Sequence, residues 1–143
     1  MLVFPRTVTS DDELAQVFAE LHEDGFQRVV CDSQIVQISP GAAERCSVNS
    51  IANELWVVVD RLTSQTTSET RLLDSLETAF EKGNGQCAVL VRADSMHGAL
   101  DVGDLCEVSG EPWRQVRFSM NWSCSRCAVD YPSPEARLFS FDS

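Results

Sequence analysis

Two capped amphipathic segments, separated by runs of β-branched residues, constrain the fold of this chain more than any other feature. In the first, Ser10 and Glu13 have capping-box spacing, and apolar side chains follow at helical intervals, namely Leu14, Val17, Phe18 and Leu21. Gly25 is placed to end this helix as its C′ residue. In the second, Thr66 and Glu69 have the same spacing, and one apolar stripe follows, made of Leu72, Leu73, Leu76, Ala79 and Phe80. We therefore predict two helices whose apolar stripes face a core.

The segments between and after these helices have the composition of strands. Residues 26–38 are rich in Val and Ile on both sides of Asp32-Ser33, which predicts a two-stranded hairpin. Residues 55–59 and 87–92 are apolar runs rich in Val, typical of strands that are buried on both faces. By composition, residues 39–50 form a loop, and residues 99–118 hold shorter strand candidates.

The resulting order, α-β-β-β-α-β-β, predicts an α+β domain with a largely antiparallel sheet and two main helices packed on one side. With 143 residues, 43% of them hydrophobic, the chain is long enough for a real core. After about residue 119 the composition changes to Cys, Ser, Pro and Arg. We therefore predict a domain at 1–118 and an irregular C-terminal tail at 119–143.

The charge of the chain is strongly acidic and unevenly distributed. Residues 1–112 carry 7 basic and 19 acidic side chains, whereas residues 113–143 carry four Arg and three acids. An acidic body repels phosphate backbones, so we expect a protein partner for it and no DNA binding by it alone. No apolar run is long enough to span a membrane, and no secretory leader is evident. The six cysteines are therefore expected to be reduced thiols or metal ligands in the cytoplasm.

Cys124 and Cys127 form the sharpest local motif, a CxxC pair that can hold one tetrahedral metal ion, usually Zn²⁺. A structural zinc site takes four protein ligands, and no Cys or His follows Cys127 in the sequence. Cys31 and Cys87 lie in apolar strand candidates and are expected to be packed core thiols. A thioredoxin-like CxxC should precede a helix, whereas prolines follow this one at Pro132 and beyond.

The residues around the CxxC pair resemble the first zinc module of the UvrA family. In that family a phenylalanine-serine pair precedes CPxCG, and a stretch close to EPRLFSFNSP follows about ten residues later. Here Phe118-Ser119 precedes Cys124-Ser-Arg-Cys127, and residues 137–141 read Arg-Leu-Phe-Ser-Phe. The tail therefore resembles the first half of that module.

The upstream sequence resembles the UvrB-binding region of the same family, in order and in spacing. Residues 25–32, Gly-Phe-Gln-Arg-Val-Val-Cys-Asp, look like the family's GYxRVRxDGE hairpin. Residues 55–61, Leu-Trp-Val-Val-Val-Asp-Arg, look like its EVVVDR strand. Residues 71–80, Arg-Leu-Leu-Asp-Ser-Leu-Glu-Thr-Ala-Phe, look like its RLADSxETAL helix. The resemblance covers essentially the whole chain and is weakest at 39–50 and 94–112.

The resemblance implies a fragment of a nucleotide-excision-repair damage-recognition ATPase, in which this part recruits UvrB. The family docks UvrB largely through charged contacts, which we carry over to Arg28 in the hairpin and Arg61 at the end of the central strand. Arg71, at the start of the second helix, is a weaker candidate. A planar guanidinium pairs with a carboxylate through two hydrogen bonds, which suits a specific polar interface.

Each of these arginines has a local alternative. Arg28 and Arg61 have Asp32 and Asp60 as neighbours with which they could pair on a solvated edge. Arg71 could pair along its own helix with Asp74 or Glu77.

The sequence departs from the family at several points. The second CxxC is absent, so Cys124 and Cys127 supply two of the four zinc ligands that the resemblance implies. Ser125 and Ala128 replace the usual Pro and Gly, and residues 49–54 stand where the family has a Lys-rich stretch. No G-x-x-x-x-G-K-[ST] loop occurs, so we expect this chain neither to bind ATP nor to act as an enzyme. DNA contacts and homodimer formation would belong to the full-length protein, and this piece alone is expected to be monomeric.

Two alternatives stay open at this point. One is a stand-alone descendant of UvrA that engages UvrB without any ATPase. The other, from the enzyme class, is a small CxxC thiol oxidoreductase, which predicts a depressed thiol pKa at Cys124. The zinc hypothesis predicts instead that longer versions of the chain copurify with one metal ion.

Overall fold

The computed structural model of the protein describes residues 1–46, 54–63, 65–93 and 103–121, together with Cys124, Cys127, Val129, Tyr131 and Pro132. In chain order the described elements are β1 (Leu2–Thr7), α1 (Asp11–Glu23), β2 (Arg28–Cys31), β3 (Gln34–Gln37), a short 3₁₀ helix (Ala42–Arg45), β4 (Glu54–Asp60), α2 (Glu69–Lys82), β5 (Gln86–Arg92), β6 (Asp104–Val108) and β7 (Glu111–Ser119). No helix within these ranges is long and apolar enough to cross a membrane.

The strands form one sheet in the order β3-β2-β4-β1-β5-β7-β6, and every neighbouring pair is antiparallel. Side chains that pack with α1 and with α2 alternate along the strands with side chains of the opposite face, so both helices cover the same face. The predicted α+β fold, with two helices on one side of an antiparallel sheet, is confirmed.

The predicted element order was wrong in two respects. It gave two strands after α2, where the structure has β5, β6 and β7, and it omitted β1. This strand is the middle one of seven and pairs with β4 along its whole length. Proline within a run argues against a strand, since it has no N–H to donate. Pro5 is tolerated because β5 pairs with β1 only at Leu2 and Val3. Pro5 thus lies beyond the part of β1 that has a second neighbour.

Helix α1 has the predicted boundaries. The Ser10 Oγ accepts a hydrogen bond from the Glu13 amide at 3.2 Å. The Glu13 carboxylate accepts from the hydroxyl and amide of Thr9, at 2.6 and 2.8 Å, and these bonds lower the pKa of Glu13. At the other end Gly25 has φ +87°. The amides of Gly25 and Phe26 each donate to a carbonyl of the last turn of α1, which is the hydrogen-bond pattern of a Schellman motif.

Helix α2 begins later than the predicted Thr66 cap. Its N-cap is Ser68, whose Oγ accepts from the Arg71 amide at 3.3 Å, whereas the Thr66 amide bonds back to the Thr63 carbonyl in the preceding turn. The predicted stripe is only partly core, because Leu72 and Leu73 are 38% and 58% exposed. Ala79 and Ser75 are the residues of α2 that are buried. Two small side chains allow the helix to lie close to the sheet, which leaves the first-turn leucines outside.

The predicted hairpin at 26–38 is confirmed, and its turn residues Asp32 and Ser33 have φ of 48° and 61°, as a two-residue type I′ turn requires. The predicted loop at 39–50 contains the 3₁₀ helix, and residues 47–50 lie outside the described part. The strand candidates at 99–118 form the β6–β7 hairpin, while residues 99–102 are outside the described part.

The sheet curls so strongly that its two ends touch. In the β6–β7 turn, the Ser109 amide donates to the Ser33 carbonyl at 2.7 Å, and the Ser109 Oγ accepts from the Ile35 amide at 3.3 Å. β3 and β6 are at opposite ends of the strand order, so these contacts close the concave face away from the helices. Its buried side chains are Val3, Val30, Val58, Ala88, Leu90 and Val108.

Two of the residues expected in the core, Cys31 and Cys87, are buried on the helix-covered face, as predicted. A hydrogen bond with the Cys46 thiol, together with burial, raises the pKa of Cys31. Trp56, in β4, is half-buried at the rim of the concave cluster. The guanidinium of Arg117 lies 5.0 Å from the centre of its ring.

Candidate functional site: a cationic cleft at the end of the central strands

A β-bulge at the end of β4 determines where the site forms. Leu2 of β1 is opposite Asp60, but its neighbour Val3 is opposite Val58, so Val59 is an extra residue in β4. In a strand with regular alternation, Asp60 would lie on the concave face together with Val58. The bulge instead turns Asp60 toward α2.

On this side Asp60 is held by two residues of α2. Arg71 donates from Nε and Nη2 to the two carboxylate oxygens of Asp60, at 2.8 and 2.7 Å. The Ser75 hydroxyl donates to the same carboxylate at 3.1 Å. The bond with Arg71, more than any other cause, lowers the pKa of Asp60 below its ordinary value. Arg71 therefore pairs with Asp60, and the predicted local pairing with Asp74 or Glu77 was wrong.

All three predicted partner-binding arginines line one cleft of about 330 Å³, where the α1–β2 connection meets the end of β4 and the start of α2. Its walls are formed by Gly25, Phe26, Gln27, Arg28, Val58, Val59, Asp60, Arg61 and Arg71. The side chains come from three segments that are far apart in sequence. The structure thus brings Arg28, Arg61 and Arg71 together, although their binding role stays a prediction.

Arg28 and Arg61 differ from Arg71 in that neither makes an ion pair with a carboxylate of the described residues. The alternative in which Arg61 pairs with Asp60 was wrong, because Arg71 and Ser75 occupy that carboxylate. The alternative pairing of Arg28 with Asp32 is likewise not formed among the described ion pairs.

The cleft is positive on an otherwise acidic protein. Its walls carry three arginines and one aspartate, a net charge of +2, while the whole chain has a formal net charge of −11. Arg28 and Arg61, which have no carboxylate partner among the described residues, thus lie beside Arg71, which is paired with Asp60.

The sequence did not identify Asp60 and Ser75 as parts of the site. Asp60 was considered only as the neighbour of Arg61, and Ser75 lies within the predicted helix stripe. One signal was available, because a serine among the apolar stripe positions of a helix needs a hydrogen-bond partner when it is buried.

The CxxC pair lies away from this cleft. Cys124 is half-buried and Cys127 exposed, and the Cys124 amide donates to the Val129 carbonyl at 2.9 Å. Neither thiol is in a disulfide, and no group of three or more Cys, His, Asp or Glu in the described ranges could hold a metal ion. The described residues thus fit half of a zinc site. The described tail positions are neither helical nor extended, so no described helix follows the pair as a redox motif would require.

Comparison with known proteins gives the family. Residues 1–93 match the family model described as the UvrA interaction domain. The chain is 29% identical over 142 residues to "UvrABC system protein A" of Neisseria meningitidis serogroup A, a match that covers 99% of this chain and 13% of that protein. It is 30% identical over 126 residues to the protein of the same name from Streptococcus pyogenes serotype M1, covering 88% of this chain and 11% of the relative.

The matches thus cover most of this chain but only a small part of each relative. The chain spans little more than a tenth of the length of these curated relatives. The family model covers both helices, five of the seven strands and every residue of the cationic cleft. The chain therefore belongs to the UvrA interaction domain family.

Proposed function

We propose that this chain is a protein-interaction module that recruits a UvrB-like protein in nucleotide excision repair. The observation that carries the proposal is the cationic cleft, in which the guanidinium groups of Arg28 and Arg61 have no described carboxylate partner. Relatives named as UvrABC system protein A support the repair context.

The physical chemistry of the cleft favours a protein partner over a nucleic acid. Two arginines are too few to overcome the repulsion between a phosphate backbone and a chain with a net charge of −11. They suffice to bind one or two carboxylates of a protein at short range, in an interface where the pairs are partly desolvated. Arg71 is half-exposed and engaged by Asp60, so we assign it a positioning role at the cleft wall.

We further propose that this chain has no ATPase activity of its own and that ATP turnover belongs to other parts of the full-length relatives. The described residues contain a binding cleft and no phosphate-binding loop at a helix start. For the tail, we propose that Cys124 and Cys127 supply two thiolates to a zinc module that needs two ligands from elsewhere. Zinc would supply a structural crosslink there, and its test is metal content of versions of the chain that include further ligands.

The test of the main proposal is titration calorimetry of the chain with UvrB from the same organism. Arg28→Ala and Arg61→Ala should each weaken binding at least tenfold, which corresponds to about 1.4 kcal/mol. Each substitution removes a guanidinium that no described internal carboxylate satisfies, so the loss should appear in binding and leave the unfolding temperature nearly unchanged.

Arg45→Ala is the matched control. Arg45 is exposed, makes no ion pair in the described part of the chain and does not line the cleft. It changes the net charge by the same amount. Equal weakening by all three variants would mean that only overall charge matters, and no binding by the folded wild type would refute UvrB recruitment.

A further inference from the structure

A second depression lies beside the cationic cleft and has a different chemistry. It is a groove of about 370 Å³ lined by Leu62, Thr63, Thr67, Ser68, Glu69 and Leu72. Leu62 extends from the end of β4, and Leu72 from the first turn of α2. The two leucines are the apolar part of its lining, and the other four residues are polar or charged. We call it the leucine groove.

The position of Leu72 is unusual for a residue of an amphipathic stripe. The sequence places it on the apolar face of α2, yet 38% of its surface is exposed, and its neighbour Leu73 is 58% exposed. Single exposed leucines are common on protein surfaces. Here one of two adjacent leucines forms the wall of a depression, and Ser75 and Ala79 take the buried positions. The helix thus carries apolar surface that the core does not use.

The leucine groove and the cationic cleft are lined by consecutive residues of the chain at two places. Arg61 lines the cleft and the next residue, Leu62, lines the groove. The same step occurs on α2, from Arg71 to Leu72. The two-bond pair between Arg71 and Asp60 ties the start of α2 to the end of β4, and both depressions lie at this junction.

We infer that the leucine groove receives a large apolar side chain of the same partner segment whose carboxylates bind Arg28 and Arg61. The inference rests on the proposed function and specifies its partner as an acidic segment that carries a Leu, Met or Phe next to its carboxylates. Charge complementarity in the cleft sets the sign of the segment, and the adjacency of Arg61 to Leu62 and of Arg71 to Leu72 places its apolar residue next to its carboxylates. An apolar anchor beside charged pairs excludes water from them, which is the common arrangement of interface hot spots.

The experiment is titration of the full chain with UvrB from the same organism, at low and at high salt. Leu72→Ala should weaken binding about tenfold, and by the same factor at both salt concentrations, because an apolar contact is not screened. Arg28→Ala should weaken binding more at low salt than at high salt. Leu72→Met, which keeps volume and apolarity, should bind like the wild type.

Leu105→Ala is the control, because Leu105 is 68% exposed on β6 and lines neither depression. It should leave the affinity unchanged. Thermal unfolding of Leu72→Ala is recorded alongside, and an unchanged midpoint assigns the loss to the interface. If Leu72→Ala binds with wild-type affinity while Arg28→Ala binds more weakly, the leucine groove is refuted as a binding site and the proposed function is left intact. Wild-type affinity for both variants would overturn the inference and the proposed function together.

Discussion

In the described part of the chain, one face of the sheet is covered by α1 and α2, whereas the concave face is closed by the curl of the sheet itself. The helix-covered face buries large side chains such as Phe4, Leu2 and Leu14 at 1–2% exposure. The concave face buries mostly Val and Ala, and its rim consists of half-buried tryptophans with arginines over their rings, at 5.0 Å for Trp56 and 5.9 Å for Trp113. Among the described residues, the buried Nε1 of Trp113 has no hydrogen-bond partner.

The difference shows how two cores of one domain can depend on different kinds of contact. The helix-covered core needs helices of the right length and periodicity, which are local properties of the chain. The concave core needs Ser33 and Ser109, 76 positions apart in the sequence, to meet across the curl. We therefore expect the helix-covered face to be the more rigid and the more costly to perturb.

Leu2→Ala should have the largest effect, with a loss of about 3–4 kcal/mol in the free energy of unfolding. Leu2 is 1% exposed and packs against Ala79 and Cys87 beneath α2, where helix and sheet leave little room for collapse into the cavity. Urea unfolding followed by circular dichroism measures the loss. A loss below about 1.5 kcal/mol would contradict a rigid helix-covered face.

Leu90→Ala should cost less, about 2–3 kcal/mol, although it removes the same atoms at 3% exposure. Leu90 is on β5, next to β1, but faces the concave cluster, where the β6–β7 hairpin can move inward to fill the space. The two leucine variants form a matched pair for the same urea experiment. If Leu90→Ala lowers the free energy of unfolding as much as Leu2→Ala does, the concave face is as costly to perturb as the helix-covered face.

Asp60→Asn should cost about 1–2 kcal/mol, because it removes a charged partner of Arg71 from the helix-covered side. The pKa of Asp60 is lowered in the folded state, so its contribution is complete above the unfolded value of about 4 and is lost as the pH falls through the folded value. Urea unfolding between pH 7 and pH 2 should show a smaller loss of stability on acidification for Asp60→Asn than for the wild type. Parallel curves for the two proteins would mean that the pair contributes nothing to folding.

Ser109→Ala should have the smallest effect, about 0.5–1 kcal/mol, from the loss of one hydrogen bond between the Ile35 amide and the Ser109 hydroxyl. Ser33→Ala is the matched control, since both residues have positive φ and Ser33 contributes only its carbonyl oxygen to the contact. Amide hydrogen exchange at Ile35 should become faster in Ser109→Ala and stay unchanged in Ser33→Ala. Equal exchange rates in both variants would show that the closure does not depend on this bond.

Much of the fold could be predicted because its signals are local. The caps and stripe of α1, the turn at Asp32 and Ser33, and the apolar runs of β4 and β5 each lie within a window of about ten residues. β1 could not be predicted in the same way, since Pro5 weakens its strand pattern and only the neighbouring strands make it central. For α2, both Thr66 and Ser68 could serve as the N-cap. The helix begins after Ser68 because Ser75 and Ala79 then pack against the sheet.

The candidate site divides in the same way. The residue types of the site and their order could be read from the sequence. They are an arginine in the hairpin, an arginine after the central strand, and an arginine and a leucine in the first turn of the second helix. The rest of the chain is acidic. Which of the arginines pairs with a carboxylate depends on the tertiary structure. The β-bulge turns Asp60 toward Arg71, and Arg28 and Arg61 are then left without a described partner in the same cleft. Strand register and the approach of a helix set such pairings, and neither can be read from the spacing of residues along the chain.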